Sequence, residues 1–289
     1  MSDLKTQSLK RPRRAAYVLP SLFTAGNIFL GFLAILRTIQ AAMIYATRPE
    51  AGAEQFAFAA KVIGFSVLLD GLDGRVARMT NTTSAFGAEL DSLADVISFG
   101  IAPAVLAYFW GVQFVEPTAA PIAFDQIQDI GKLVAFLFLL CGAARLARFN
   151  VQKNPQPKNP GRPDRKYFVG LAIPSGAGMI AAVVYFNNGF PITFWPYSFL
   201  WLALTGMLSF LMVSTWRYYS FKDLNLLRPR SPLTVILLGA LIFLIFYFSQ
   251  PVLLIMATSY ALSGVIIRIA GIVRRFRPGR PAQPEHQVG

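Results

Sequence analysis

Eight apolar stretches, each long enough to cross the hydrocarbon core of a bilayer, dominate this sequence and leave little room for any other architecture. A spanning helix needs about 20 mostly apolar residues. The stretches run approximately from Pro20 to Tyr45, Phe56 to Met79, Gly87 to Trp110, Ile130 to Phe149, Phe168 to Tyr185, Trp195 to Thr215, Leu233 to Ser249 and Val252 to Ile272. With 55% hydrophobic and only 14% charged residues, the chain is too apolar for an ordinary soluble domain of its length. The prediction is an all-α integral membrane protein, a bundle of about eight transmembrane helices.

Basic residues orient that bundle, because cytoplasmic loops collect Lys and Arg. With both termini cytoplasmic, 23 of the 27 Lys and Arg fall in inner segments or adjoining helix ends. Only Arg37, Arg48, Lys61 and Lys132 lie toward the other face, and the stretch "VQFVEPTAAPIAFDQIQDIG" has none. Topology thus accounts for most of the +13 net charge, and no nucleic-acid partner is expected. The expected organisation is a basic cytoplasmic segment (residues 1–16), one membrane domain (17–275) and a polar, disordered tail (276–289). The first apolar run follows basic residues as in a signal peptide, but it is too long and lacks a small-residue cleavage site, so it is read as a retained helix. A single cysteine, Cys141, excludes an intramolecular disulfide, and the single histidine, His286, lies in the tail. Any acid or base working within the membrane is therefore of another type.

The stretch "DGLDGRVARMTNTTSAFGAELDSLAD", residues 70–95, supplies one. Asp70 and Asp73 are three residues apart near the inner end of the second span, and Asp91 and Asp95 four apart near the inner start of the third. At 3.6 residues per turn each pair projects from one helical face. The short polar connection "MTNTTSAF" makes the two helices antiparallel, so all four carboxylates can meet at one level near the cytoplasmic surface. Packed anions raise one another's pKa unless a cation intervenes. Hard oxygen ligands without His or Cys select Mg²⁺, Mn²⁺ or Ca²⁺, and Mg²⁺ favours a few carboxylates plus phosphate oxygens of a substrate. A phosphate-bearing ligand is the expectation. Gly74 and Ala77, on the face of Asp70 and Asp73, leave space for a flat group such as a nucleobase, and Gly87 keeps the facing helix slim. Singly, each serves close helix packing as well. Arg78 can reach phosphate or pair with a carboxylate. Intramembrane acids also serve ion and proton transporters, but transporter sites favour the midplane and broken helices.

These residues resemble the CDP-alcohol phosphatidyltransferases, whose signature reads D-x2-D-G-x2-A-R-x8-G-x3-D-x3-D. Asp70, Asp73, Gly74, Ala77, Arg78, Gly87, Asp91 and Asp95 match every specified position. The resemblance implies a helical membrane enzyme, usually homodimeric, that displaces CMP from a CDP-linked lipid by attack of an alcohol. It implies that Asp70, Asp73 and Asp91 hold divalent ions, a pair of Mg²⁺ or Mn²⁺. Asp95 would contribute to that site and act as base on the incoming hydroxyl. Gly74, Ala77, Arg78 and Gly87 would border the CDP moiety.

Three further stretches, "LPSLFTAGNIFLGF", "SFGIAPA" and "CGAARLARFNV" with the later "FVGLAIPSGAG", resemble the serine-using branch of the family. Ser21 departs from it, standing where asparagine is more usual. The implied donor is CDP-diacylglycerol, drawn from the membrane lipids, and the implied acceptor L-serine; glycerol 3-phosphate and inositol phosphate are the alternatives. Arg145 and Arg148, one turn apart, either serve topology alone or hold an acceptor carboxylate bidentately, with Asn150 adding hydrogen bonds. Thr24 and Asn27, polar within the first apolar helix, either bond helix to helix or contact the nucleotide. The expected location is the inner membrane, with the active site at its cytoplasmic face.

Overall fold

Pro49 sets the first corner of the fold. It opens helix α2 (Pro49–Thr80) after only three residues that follow helix α1 (Ala15–Tyr45). Proline suits a first helical turn, where its missing N–H has no partner to lose, and Glu50 in the same turn complements the helix dipole. So short a link makes α1 and α2 an antiparallel pair. Their register is visible in Arg37, which donates to Gln55 at 3.0 Å, and in Ser66, which donates to the side-chain oxygen of Asn27. Small residues let the backbones approach: Ala34 and Ala41 on α1 face Phe56, Ala60 and Ile63 on α2, all buried. The outer faces carry Phe29, Phe32, Leu36 and Met43, and Phe58, Phe65, Leu68 and Leu72, all exposed. Such faces suit lipid and would be a liability in water.

The computed structural model describes residues 15–80, 85–116, 124–153, 167–219, 239–240 and 243–276. The third rod runs as α3 (Ala85–Asp95), a π-helical turn (Val96–Ile101) and α4 (Ala102–Gly111). Pro103 explains the π turn. Its ring crowds the carbonyl four residues back and it has no N–H to offer, so an α-helical ladder cannot pass through this point unchanged. The amide of Ala102 instead bonds five residues back, to Ile97. The widened turn packs on α1, where Ser98 donates to the Asn27 carbonyl at 2.8 Å. Gly31 makes the approach possible, since a Cβ there would lie 2.6 Å from Ser98 Oγ.

Helix α5 (Phe124–Lys153) returns across the bundle and leads to a short antiparallel ribbon, β1 (Tyr167–Val169) with β2 (Arg217–Tyr219), paired as Phe168 with Tyr218. Between the strands lie α6 (Ile173–Phe186) and α7 (Trp195–Val213); α8 (Ser249–Phe276) closes the described bundle. Trp201 of α7 locks onto α4, its ring 5.0 Å from that of Trp110 and its N–H donating to Ala107.

Six helical segments among the described residues are long and apolar enough to cross a membrane. They agree with expected spans one to four, six and eight. The fifth is a correction: Phe168 lies in β1, and the helix begins only at Ile173. Gly170, at φ +78°, turns the chain, Ala172 is extended, and Pro174 lies in the first turn of the helix. With 14 residues α6 is about 21 Å long, short of a bilayer core. Ile173, Ala177, Ile180 and Val184 are among its buried residues, so protein rather than lipid surrounds it. Most of the expected seventh span, and both termini with the sidedness assigned to them, lie outside the described residues, as does His286.

Candidate active site

Asp70 stands near the end of the α2 span, and Asp91 and Asp95 near the start of the α3 span, one helical turn apart. One oxygen from each of the three carboxylates lies within 4.8 Å of the others, and all three residues are half-buried. Helix α1 is the plate on which both acid-bearing helices rest. Gly26 lies against Leu69, next to Asp70. Asn27, only 2% exposed, takes Ser66 of α2 on its side chain and Ser98 of the π turn on its backbone oxygen. Ser66 is one turn before Asp70 and Ser98 three residues after Asp95, so a single residue fixes the mutual register of the acids. Of the two readings of Asn27, the contacts here are helix to helix. Thr24, one turn earlier, is buried as well.

The donor set fits a divalent ion. It is oxygen only, and two oxygens on one Mg²⁺ stand at most about 4.2 Å apart at a ligand distance of about 2.1 Å. Oxygens within 4.8 Å of one another are close enough for a divalent ion to draw together. The helix backbone carries Asp73, Gly74, Ala77 and Arg78 through the last turns of α2. Their side chains lie outside the described residues, so three of the four expected acids are seen to converge. Gly87 lies one turn before Asp91 in α3.

The C-terminal turns of α5 approach the same cluster. Asn150 donates to Ser92 at 2.8 Å, and Ser92, which sits between the two α3 acids, donates to Ala88 at 3.0 Å. Arg145 is within Coulombic reach of Asp95 and of Tyr260 on α8, and its Nε is buried without a hydrogen-bond partner. Arg148 has a different occupation. Its guanidinium donates to the Val213 carbonyl at 3.0 Å and, at 3.5 Å each, to those of Val169 and Ser214. It therefore caps the open C-terminal carbonyls of α7 and fastens the ribbon to α5. Within the ribbon, Tyr218 is fully buried, its ring against Gly264 and its hydroxyl donating to Ala261 at 3.3 Å. Burial, assisted by neighbouring Tyr260, raises its phenol to about 12, so it stays neutral.

Sequence reasoning did not find Ser66, Ser92 and Ser98, or the Tyr218 and Tyr260 pair, whose rings lie 5.7 Å apart. The available signal was polarity inside apolar runs, which marks helix-to-helix bonds but not their partners.

A predominantly helical membrane bundle, with one short β ribbon and three aspartates focused at one end of two spans, defines the class. The sequence profile of CDP-alcohol phosphatidyltransferases matches residues 17–209, and the chain belongs to that family. It is similar to the CDP-diacylglycerol–serine O-phosphatidyltransferase of Helicobacter pylori, at 39% identity over 215 residues, 74% of this chain and 77% of that one. The enzyme of the same name from Methanocaldococcus jannaschii is 34% identical over 162 residues, 56% of this chain and 64% of that one. That of Saccharomyces cerevisiae is 43% identical over 116 residues, covering 40% and 37%.

Proposed function

We propose that this protein transfers the phosphatidyl group of CDP-diacylglycerol to the hydroxyl of L-serine, giving phosphatidylserine and CMP. The observation that carries the reading is the meeting of Asp70, Asp91 and Asp95 within 4.8 Å, on the family signature, in a chain whose relatives are named for this reaction.

Asp70, Asp73, Asp91 and Asp95 would hold Mg²⁺ or Mn²⁺. When bound, such ions neutralise the pyrophosphate and stabilise the departing CMP. Asp95 takes the proton of the serine hydroxyl as its oxygen attacks the phosphorus bearing diacylglycerol. The bond from that phosphorus to the oxygen of CMP breaks, and CMP leaves with the electron pair. Gly74, Ala77, Arg78, Gly87 and Thr24 border the nucleotide. Asn27 supports that border by holding α2 and the π turn together. Arg145 takes the serine carboxylate, and Asn150 acts through Ser92 to fix the turn between the catalytic acids. Arg148 stiffens the pocket from outside. The working unit is residues 17–275, as a homodimer in the inner membrane, with the acids at the cytoplasmic face and both termini on that side. The distribution of Lys and Arg supports this orientation.

The test is purified protein in detergent given CDP-diacylglycerol, Mn²⁺ or Mg²⁺ and a panel of L-serine, glycerol 3-phosphate and inositol phosphate. Expected are CMP release matched by serine incorporation, loss of both on chelation, and recovery on adding either ion. CMP release with glycerol 3-phosphate and none with serine would overturn the acceptor; no release with any alcohol would overturn the reaction.

A further inference from the structure

Asp91 and Asp95 share a rod with Pro103, Ala107 and Trp110, and the residue count between the two groups does not suit an unbroken helix. An α-helix turns about 100° per residue. Pro103, Ala107 and Trp110 are buried and lie within about 60° of one another, so they mark the inward stripe of α4. Counted back through an uninterrupted α-helix, Asp95 would stand about a quarter of a turn from that stripe and Asp91 about a third. Ala94 would point away from the core. Burial says the opposite: Ala94 is 0% exposed and its neighbour Leu93 is 61% exposed.

The π turn (Val96–Ile101) removes the conflict. A turn closed on the fifth residue back takes up one residue more than an α turn, and the amide of Ala102 reaches Ile97 in this way. One extra residue swings everything before it by about 100°. Asp91 and Asp95 then fall within about 30° of the inward stripe, and Leu93 lies opposite it. This is the rotation at which the two acids meet Asp70.

The turn is gripped on two sides. Ser98, fully buried, donates to the Asn27 carbonyl of α1 at 2.8 Å, where Gly31 leaves room for it. A Cβ on Gly100 would fall 2.9 Å from Leu139 of α5, so that flank is in close contact too. Pro103 bars the extra residue from passing into α4. We infer, on the function proposed above, that the π turn is a positioning element of the reacting centre. Its extra residue aims Asp91 and Asp95 at Asp70, and Ser98 is the positioning residue that holds it at this level.

The experiment titrates Mn²⁺ alone onto the full chain in detergent, reading free ion by electron paramagnetic resonance, with thermal unfolding as the check on folding. One alanine inserted between Ile97 and Ser98 should turn the acids away again and weaken Mn²⁺ binding at least about 100-fold, with loss of turnover. Deletion of Ile97 combined with Pro103→Ala lets a plain α-helix keep the wild-type rotation, and binding should stay within about tenfold of wild type. Ser98→Ala should raise the half-saturating Mn²⁺ concentration about fivefold, as loss of one buried hydrogen bond implies, with serine dependence within about twofold. A folded insertion variant that binds Mn²⁺ like wild type, or a folded deletion variant that binds none, overturns the inference. If neither folds, Ser98→Ala decides, and a lower thermal midpoint with unchanged Mn²⁺ binding overturns it. Wild-type protein that binds Mn²⁺ but ignores serine overturns the underlying reading of the acceptor instead, so the two failures are distinct.

Discussion

Asp70, Asp91 and Asp95 converge from two helices seated on a third, whereas Arg145 stands on α5, within electrostatic reach of Tyr260 on α8. The first arrangement is mostly local: residues 24 to 98 contain the acids and the bonds of Asn27 that align them, with a further tie from Asn150 on α5. The second is assembled from segments more than a hundred residues apart, and its geometry depends on a two-stranded ribbon whose halves are separated by two helices. Chemistry common to a family can be carried by a compact stretch with fixed spacing. Recognition of one acceptor needs a pocket that longer-range packing can reshape without disturbing the acids.

The largest effect should fall on the local half. Asp95→Asn removes the proposed base and one oxygen ligand while keeping the size of the side chain. We expect turnover to fall by at least about 10³-fold, with the detergent-solubilised protein still unfolding cooperatively near the wild-type temperature. Near-normal turnover in this variant would mean that the acids do not form the reacting centre, and the contrast between the two halves would lose its basis. Asp91→Asn is expected to behave alike, and a large difference between them would separate the ligand role from the base role.

On the distributed half, Arg145→Ala should act on serine rather than on turnover of bound substrates. Removing a guanidinium that holds a buried carboxylate is expected to raise the half-saturating serine concentration about 100-fold, from the cost of leaving a charge unpaired. CDP-diacylglycerol dependence should stay within about twofold. Steady-state kinetics with each substrate varied in turn gives both numbers. A fall in turnover with unchanged serine dependence would move Arg145 from the acceptor to the acids, toward Asp95.

How much of this was legible follows the same division. Asp70, Asp91 and Asp95 could be brought together from spacing alone, because helical periodicity and a short link leave few other outcomes. Six spans were readable for the same reason: length and hydropathy are sufficient where lipid is the solvent. The fifth span was misplaced because α6 is wrapped by other helices, and apolar composition alone does not distinguish a buried helix from a crossing one. The π turn was encoded by Pro103, but the resulting register matters only once Ser98 is seen against Gly31. Arg145 and Arg148 looked equivalent because spacing reports a shared face. It carries no information about the carbonyls of Val213, Ser214 and Val169 that occupy one of them.

That distinction sharpens in Arg148→Ala. Carbonyls at the end of α7 would lose their donor and the ribbon its tie to α5. A hydrogen bond from a charged group contributes about 1.5–3 kcal/mol when well formed, and only the bond to Val213, at 3.0 Å, is of ordinary length. We therefore expect a loss of about 2 kcal/mol in stability, read as a lower thermal midpoint in detergent, and a serine half-saturation changed by less than about threefold. A serine effect as large as that of Arg145→Ala would restore both arginines to the acceptor carboxylate.

The smallest effect is expected where the two halves touch. Asn150 donates to Ser92 across the gap between α5 and α3, a direct side-chain link between the arginine-bearing helix and the turn carrying Asp91 and Asp95. It is a neutral bond between half-buried partners, so its net worth is about 1 kcal/mol. Asn150→Ala and Ser92→Ala should each lower turnover by severalfold, and the double variant should be hardly worse than either, because both remove the same interaction. Ser92 also donates to Ala88, so its single variant is expected to be the more costly of the two in stability. Full additivity in the cycle would mean that this bond does not hold α5 and α3 in register.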